Sequence, residues 1–168
     1  GIYSSKKKDD MLWPDMTFAF IVAYDIWNFE YTYNNLPTHS WYCGLALLLA
    51  PTFAAMLWNK GGWIQNRANT LALWCMFAQV FPLLQDNSRF SVIPRIYADG
   101  YVDKNVHPTL ADPTAQGVIA IAALAANVIV FGVIIKRSIE QKKNPYKNEI
   151  WKGTRDYKLA MARAEEQK

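Results

Sequence analysis

The sequence has 168 residues, 52% hydrophobic and 14% aromatic, with a net charge of +4 and a mean hydropathy of -0.06. That average would suit a soluble domain, but charge-free runs extend from Ser40 to Asn59, from Ala68 to Gln85 and from Pro113 to Ile135. Runs of this length match about 30 Å of hydrocarbon, and the basic residues crowd the ends, so the net charge reads as a topology signal and not as a nucleic-acid footprint.

The predicted organisation is all-α: a transmembrane helical bundle of four spans with a long outer loop and a cytoplasmic C-terminal helix. Residues 1–12 form a basic cytoplasmic segment, polar and mobile, in which Lys6, Lys7 and Lys8 anchor to anionic lipid and Asp10 is the candidate cap of the first helix. The chain opens on Gly1, which points to a processed chain, a tag remnant or a piece of something longer, and no small-residue cleavage site follows KKKDD.

The first span is expected over about 13–33, with Pro14 tolerated in its first turn. It carries Asp25 slightly past mid-membrane, about 18 Å from Trp13 at about 1.5 Å per residue. Helical projection sets Thr17, Asp25, Asn28 and Thr32 on one stripe, beside Phe20, Tyr24, Trp27 and Tyr31. An ionisable group at that depth marks a functional site by default. Asp15 and Glu30 lie near the two interfaces and need no such explanation.

The connection NNLPTHS is short enough for an antiparallel hairpin, and its His39 reads as a solvated loop histidine. The second span, about 41–59, has aromatic residues at both ends and a small-residue stripe at Ala46, Ala50 and Ala54. Its Pro51 leaves the Leu47 carbonyl without a helical donor. The loop NKGGWIQNR turns on Gly61 and Gly62 and has no phosphate-binding pattern. In the third span, about 68–85, Asn69, Ala72, Met76 and Gln79 share a face, and Pro82 frees the Ala78 carbonyl. Residues 86–112 form the long outer loop, whose acidic residues and His107 fit no spaced metal site. The fourth span, about 113–135, presents Gln116, Ala120, Ala123 and Asn127 together, with Asn127 near the expected depth of Asp25. Residues 136–168 form a basic tail, expected to be a helix lying on headgroups or on a partner.

Of the 18 Lys and Arg residues only Arg89, Arg95 and Lys104 fall on the outer side, which sets both termini in the cytoplasm or its organellar equivalent. The two cysteines, Cys43 and Cys75, sit at different depths and make no disulfide framework. No internal repeat is present.

The strings YDIWNFEYTYNNLPTHSWYCGLALLLAP, from Tyr24 to Pro51, and WNKGGWIQNRANTLALWCMF, from Trp58 to Phe77, resemble an uncharacterised family of polytopic membrane proteins classed as a domain of unknown function. The resemblance covers about Trp13 to Gln85. It implies an integral membrane protein whose relatives can be longer, and it supplies no activity.

The functional expectation rests on the polar residues of the spans. No span contains a deep Lys or Arg to neutralise Asp25, which must then be protonated, hydrated or paired with a cation. A solute or ion transport or binding component follows, in which Asp25 holds a proton or small cation. Asn28, Gln79 and Asn127 orient it, and Tyr24, Trp27 and Tyr31 form aromatic walls. The competing expectation is a non-catalytic subunit of a larger membrane assembly, as a homo-oligomer or with other membrane subunits. No catalytic or metal constellation and no cofactor motif is present to support a membrane enzyme.

Overall fold

The computed structural model describes residues 1–35, 41–81, 92–94 and 109–164. Among them are five helices and two short two-stranded sheets: β1 (Tyr3–Ser4), β2 (Met11–Leu12), α1 (Phe18–Asn35), α2 (Trp41–Leu57), α3 (Trp63–Val80), β3 (Val92–Ile93), β4 (Thr109–Leu110), α4 (Pro113–Gln141) and α5 (Arg155–Met161). The chain is therefore mostly helical, and the expectation of an all-α protein misses its two small sheets.

Local chemistry moves the helix ends away from those expected. Pro14 has no N–H, and residues 13–17 instead make turn hydrogen bonds, Met16 to the Trp13 carbonyl at 3.2 Å and Thr17 to that of Asp15 at 2.9 Å. The first helix starts only after Thr17, whose hydroxyl accepts from the Phe20 N–H at 3.4 Å in the manner of a cap. Thr17 thus takes the place expected of Asp10. Gly61, with φ +80°, turns the chain straight after α2, so α3 starts at Trp63 and takes in Arg67, which the sequence had assigned to a loop. The fourth helix opens on a strong signal, Pro113 in its first turn and the Asp112 carboxylate accepting from the Ala115 N–H at 2.8 Å. It runs on through Lys136 and Arg137 and stops at Lys142, which is left-handed at φ 53°.

In the bundle α1 packs against both α4 and α2, and α2 packs against α3. Pro51 lies inside α2, and the carbonyl of Leu47 that it frees is met by the Thr70 hydroxyl of α3 at 3.4 Å. Close approach of α1 and α2 at the other end depends on Gly44, where a Cβ would meet the Thr32 hydroxyl at 3.3 Å.

One end of the bundle, here called basal, is closed by three segments far apart in sequence. β1 and β2 pair antiparallel, with Tyr3 opposite Leu12, so the N-terminal segment expected to be mobile is a hairpin. Ser5 secures its turn, its hydroxyl donating to the Asp9 carboxylate at 2.7 Å and accepting from the Asp10 N–H at 3.1 Å. The Lys6 N–H bonds the Arg163 carbonyl at 2.9 Å, and the Trp13 N–H bonds the Gly61 carbonyl at 2.7 Å. Arg163 pairs with Asp10 at 2.7 Å and also donates to the Lys60 carbonyl at 3.0 Å and to the Asn59 side chain. Leu12, Ile150, Tyr157, Ala160 and Ala164 are buried in this layer. Among its described residues the tail is thus helical over 136–141, where α4 continues into it, and over the seven residues of α5, which folds under the bundle and buries Tyr157 and Ala160.

Only one of the helices among the described residues, Pro113–Gln141, is long and apolar enough to cross a membrane by that criterion, with a mean hydropathy of 2.8 over its most apolar stretch. By length and composition the four expected spans reduce to this one. α1 is interrupted by Asp25 and Glu30, α2 holds a shorter apolar stretch over Gly44–Leu57, and α3 opens on a polar half. The long outer loop and His39 lie almost wholly or wholly outside the described residues, which there include only the parallel pair β3 and β4 and the start of α4.

Two outcomes are expected from this layer. A Cβ at Gly61 would lie 2.8 Å from that of Ala160, at a φ that only glycine adopts freely, whereas one at Gly153, with φ +96°, would meet nothing within 4 Å. Gly61→Ala is expected to lower stability by about 1–3 kcal/mol in thermal unfolding, and Gly153→Ala by clearly less; equal losses would refute the contact. Glu149 accepts from the Gly1 amino group at 2.6 Å, the Tyr3 hydroxyl at 2.5 Å and the Tyr157 hydroxyl. Burial opposes its charge, but these donors, the amino group first and then Tyr157 and Tyr3, outweigh it and hold the carboxyl at about 2 instead of 4.5. Its contribution to docking the tail is therefore complete above pH 4.5 and is lost as the pH falls through about 2. Protease sensitivity of the tail should rise across that window in the wild type and stay flat in Glu149→Gln.

Candidate functional site

The site is built where α1, α2 and α3 meet at the basal end. Ile21 of α1, Ala55 of α2 and Trp63 of α3 form a buried apolar cluster, with Met16, Tyr24 and Ile64 packed around it. One turn along each of the first two helices from that cluster the surfaces become polar, at Asp25 on α1 and Thr52 on α2. The Thr52 hydroxyl, 3% exposed, donates to Asp25 Oδ2 at 2.6 Å and accepts from the Trp63 indole N–H at 2.9 Å. A single hydroxyl therefore uses its only proton on the carboxylate and a lone pair on the indole, and it ties three helices together at one point.

The other carboxylate oxygen, Asp25 Oδ1, is buried with no hydrogen-bond partner. So are Nε and Nη1 of Arg67, which lies one turn beyond Trp63 on α3 and acts electrostatically on Asp25 without reaching salt-bridge distance. A buried acceptor on α1 and two buried donors on α3, all unpaired, are uncommon in a packed helical interface, where such groups are nearly always satisfied. Arg67 supplies the basic neighbour that the sequence reading denied to Asp25. Its position became visible only once the Gly61–Gly62 turn had set the start of α3. Asp25 is seven residues past Phe18, about 10 Å along α1, and so lies closer to the basal end than the expected mid-membrane depth.

The remaining expected site residues are dispersed around this point. Tyr24 reaches it, its ring edge-on to Trp63 with centroids 5.0 Å apart and to Trp27 at 5.5 Å. Trp27 and Tyr31 stack on each other at 6.3 Å on the exposed face of α1. Asn28 is half-buried one turn beyond Asp25. Asn127 joins α4 to α1 by another route: its amide donates to the Ala123 carbonyl at 2.8 Å and to the Ala23 carbonyl of α1 at 3.5 Å. The Gln79 side chain lies outside the described residues. Thr52 and Trp63 were not singled out, although a hydroxyl directly after Pro51 in an otherwise apolar stretch was a readable signal. Among the described residues no group of three or more His, Cys, Asp or Glu side chains is arranged to hold a metal ion.

Comparison with known proteins extends the resemblance read from the sequence. The model of a family described as a family of unknown function (DUF5692) matches residues 1–163, and the chain belongs to that family. The match includes the N-terminal hairpin and the tail as well as the helices. No curated protein and no solved structure matches the chain.

Replacing the bridging hydroxyl tests the geometry. Thr52→Val is expected to strand both the carboxylate and the indole N–H and to lower stability by about 1–3 kcal/mol in thermal unfolding, with Thr52→Ser retaining most of it. A loss no larger for Val than for Ser would show that the hydroxyl does not join the three helices.

Proposed function

We propose that this member of DUF5692 is a multi-pass membrane protein in which α1 to α4 lie in the bilayer, and that Asp25 is the proton-exchanging group of a transport component. Support for the bilayer placement comes from the surface. In α4 only 6% of the most apolar stretch is buried, so it is not the core helix of a soluble domain. Ile121 and Leu124 are 70% and 68% exposed, and α2 and α3 also leave Phe53, Leu57, Leu73, Met76 and Phe77 uncovered. A monomer in water rarely exposes so many large apolar side chains along its helices. Lipid removes that cost without any further protein contact.

The assignment of Asp25 rests on the single observation that its Oδ1 is buried and unpaired beside the Thr52 bridge, as are Nε and Nη1 of Arg67. The carboxylate has two low-energy conditions in such a place. Ionised, it is offset by Arg67, and the pair carries no net charge. Protonated, it keeps the hydrogen bond from Thr52, places its own O–H on the free oxygen, and leaves Arg67 to carry a charge of +1. Taking up and releasing a proton therefore switches the net charge of the interface between zero and one. Of the two expected occupants Arg67 favours the proton, because its guanidinium repels a metal or ammonium cation, whereas a proton needs no room of its own.

The competing reading, a non-catalytic subunit of a larger membrane assembly, is favoured by the same uncovered faces of α3 and α4. It predicts a particle larger than the monomer in mild detergent. For the transport reading, the protein is reconstituted in vesicles and proton flux is followed with a pH-sensitive dye. Asp25→Asn, which preserves the shape of the side chain, is expected to reduce flux at least tenfold; flux equal to wild type would remove Asp25 from the pathway.

A further inference from the structure

A groove of about 770 Å³ opens beside the basal end, between the first turn of α1, the last three turns of α4 and the returning tail. Its volume lies in the range of about 300–1,000 Å³ typical of ligand sites. The lining changes character along its length. Towards the middle of the bundle it is apolar, with Phe20, Phe131, Ile134 and Ile135. Towards the base it carries Asp15, Ser138 and Asn148, with Tyr146, 96% exposed, at the mouth.

The polar end is incompletely satisfied. Asp15 Oδ2 holds the Gly1 amino group at 2.8 Å, while Asp15 Oδ1 and the Ser138 hydroxyl are buried with no partner. The nearest cation on α4 does not serve this end: the Arg137 Nε donates to the Ile150 carbonyl at 2.6 Å, and its guanidinium lies over the Trp151 ring at 4.9 Å. Lys136 is 76% exposed and paired along the helix with Glu140 at 3.9 Å. Beside the Gly1 ammonium on Asp15 Oδ2, the basal end of the groove thus offers an unpaired carboxylate oxygen and a hydroxyl and, among the described residues that line it, no further cation, which selects a head that donates hydrogen bonds to the open oxygen. The exposed Lys142 and Lys143 precede the groove-lining Pro145 in the chain.

We infer that this groove is a lipid site for one membrane phospholipid with a primary ammonium headgroup. An acyl chain runs along Phe131 and Ile135, and the ammonium lies on Asp15 with Ser138 beside it. A small turn of either side chain presents its unpaired oxygen. A quaternary ammonium has no N–H for Asp15, and an anionic headgroup is repelled by it. The site rests on the bilayer placement argued above and is independent of the role of Asp25.

The test is lipid retention by the full chain in nanodiscs made of equal amounts of phosphatidylethanolamine and phosphatidylcholine, read by native mass spectrometry after release. One phosphatidylethanolamine per chain is expected, favoured about tenfold over phosphatidylcholine. Asp15→Asn should abolish that preference while still retaining lipid, and Ile135→Trp, which fills the apolar end, should abolish retention. Equal retention of the two lipids by the wild type overturns the inference, as does a preference unchanged by Asp15→Asn or a dimer that buries the groove and keeps no lipid. Should Ile135→Trp fail to fold, Asp15→Asn still decides. A chain that does not enter the discs overturns both this site and the bilayer placement, whereas one that enters without preference overturns the site alone.

Discussion

The structure depends on one buried hydroxyl. Thr52 has a single proton to donate and gives it to Asp25, and its lone pair takes the indole N–H of Trp63. Remove that bridge and two polar groups on different helices are stranded in an apolar interface, each at a desolvation cost of about 1–3 kcal/mol. Apolar packing alone would let α1, α2 and α3 slide past one another with little penalty, because aliphatic surfaces are alike along their length. A directional contact among three helices fixes their relative heights.

The position of that contact explains where strain and incomplete pairing are tolerated. Pro51 sits immediately before Thr52, and the backbone acceptor it frees at Leu47 is met by the Thr70 hydroxyl of α3, so the break in α2 is repaired by the same helix that supplies Trp63. The freed backbone acceptor is met while side-chain pairing stays incomplete: Asp25 Oδ1 and two nitrogens of Arg67 are open. The residual polarity of the site is thus held by side chains that can change charge or conformation.

Much of the helical architecture was legible from the sequence, because long charge-free runs and turn chemistry both act locally. The Asp112–Pro113 start of α4 and the glycine turn after α2 are signals within a few residues, and the structure places helix boundaries there. Other features depend on distant partners. The N-terminal decapeptide looks mobile by composition, yet it is a hairpin because Arg163 and Glu149, each well over a hundred residues away, hold it. The charge of Arg67 ends the apolar run and reads as a loop, whereas α3 extends a turn and a half earlier and includes the arginine. Asp25 stands out in the sequence as an acid inside an apolar run; Thr52 is marked only by its place after Pro51, which does not say that it bonds another helix, since a hydroxyl can satisfy itself on its own.

The basal layer and the polar site are one mechanical unit. Gly61 is held from two directions, by the Trp13 N–H on its carbonyl and by Ala160 against its Cα, and Asn59 of the same turn is held by Arg163 and by Asn66. Trp63 follows two residues later and is 2% exposed, so the turn fixes the direction in which its indole leaves the backbone. The indole in turn fixes the Thr52 hydroxyl, and with it the proton that lies on Asp25. α5 therefore lies, through Ala160, against the turn that precedes Trp63, and that turn, the indole, the Thr52 hydroxyl and the Asp25 carboxylate follow one another in direct contact.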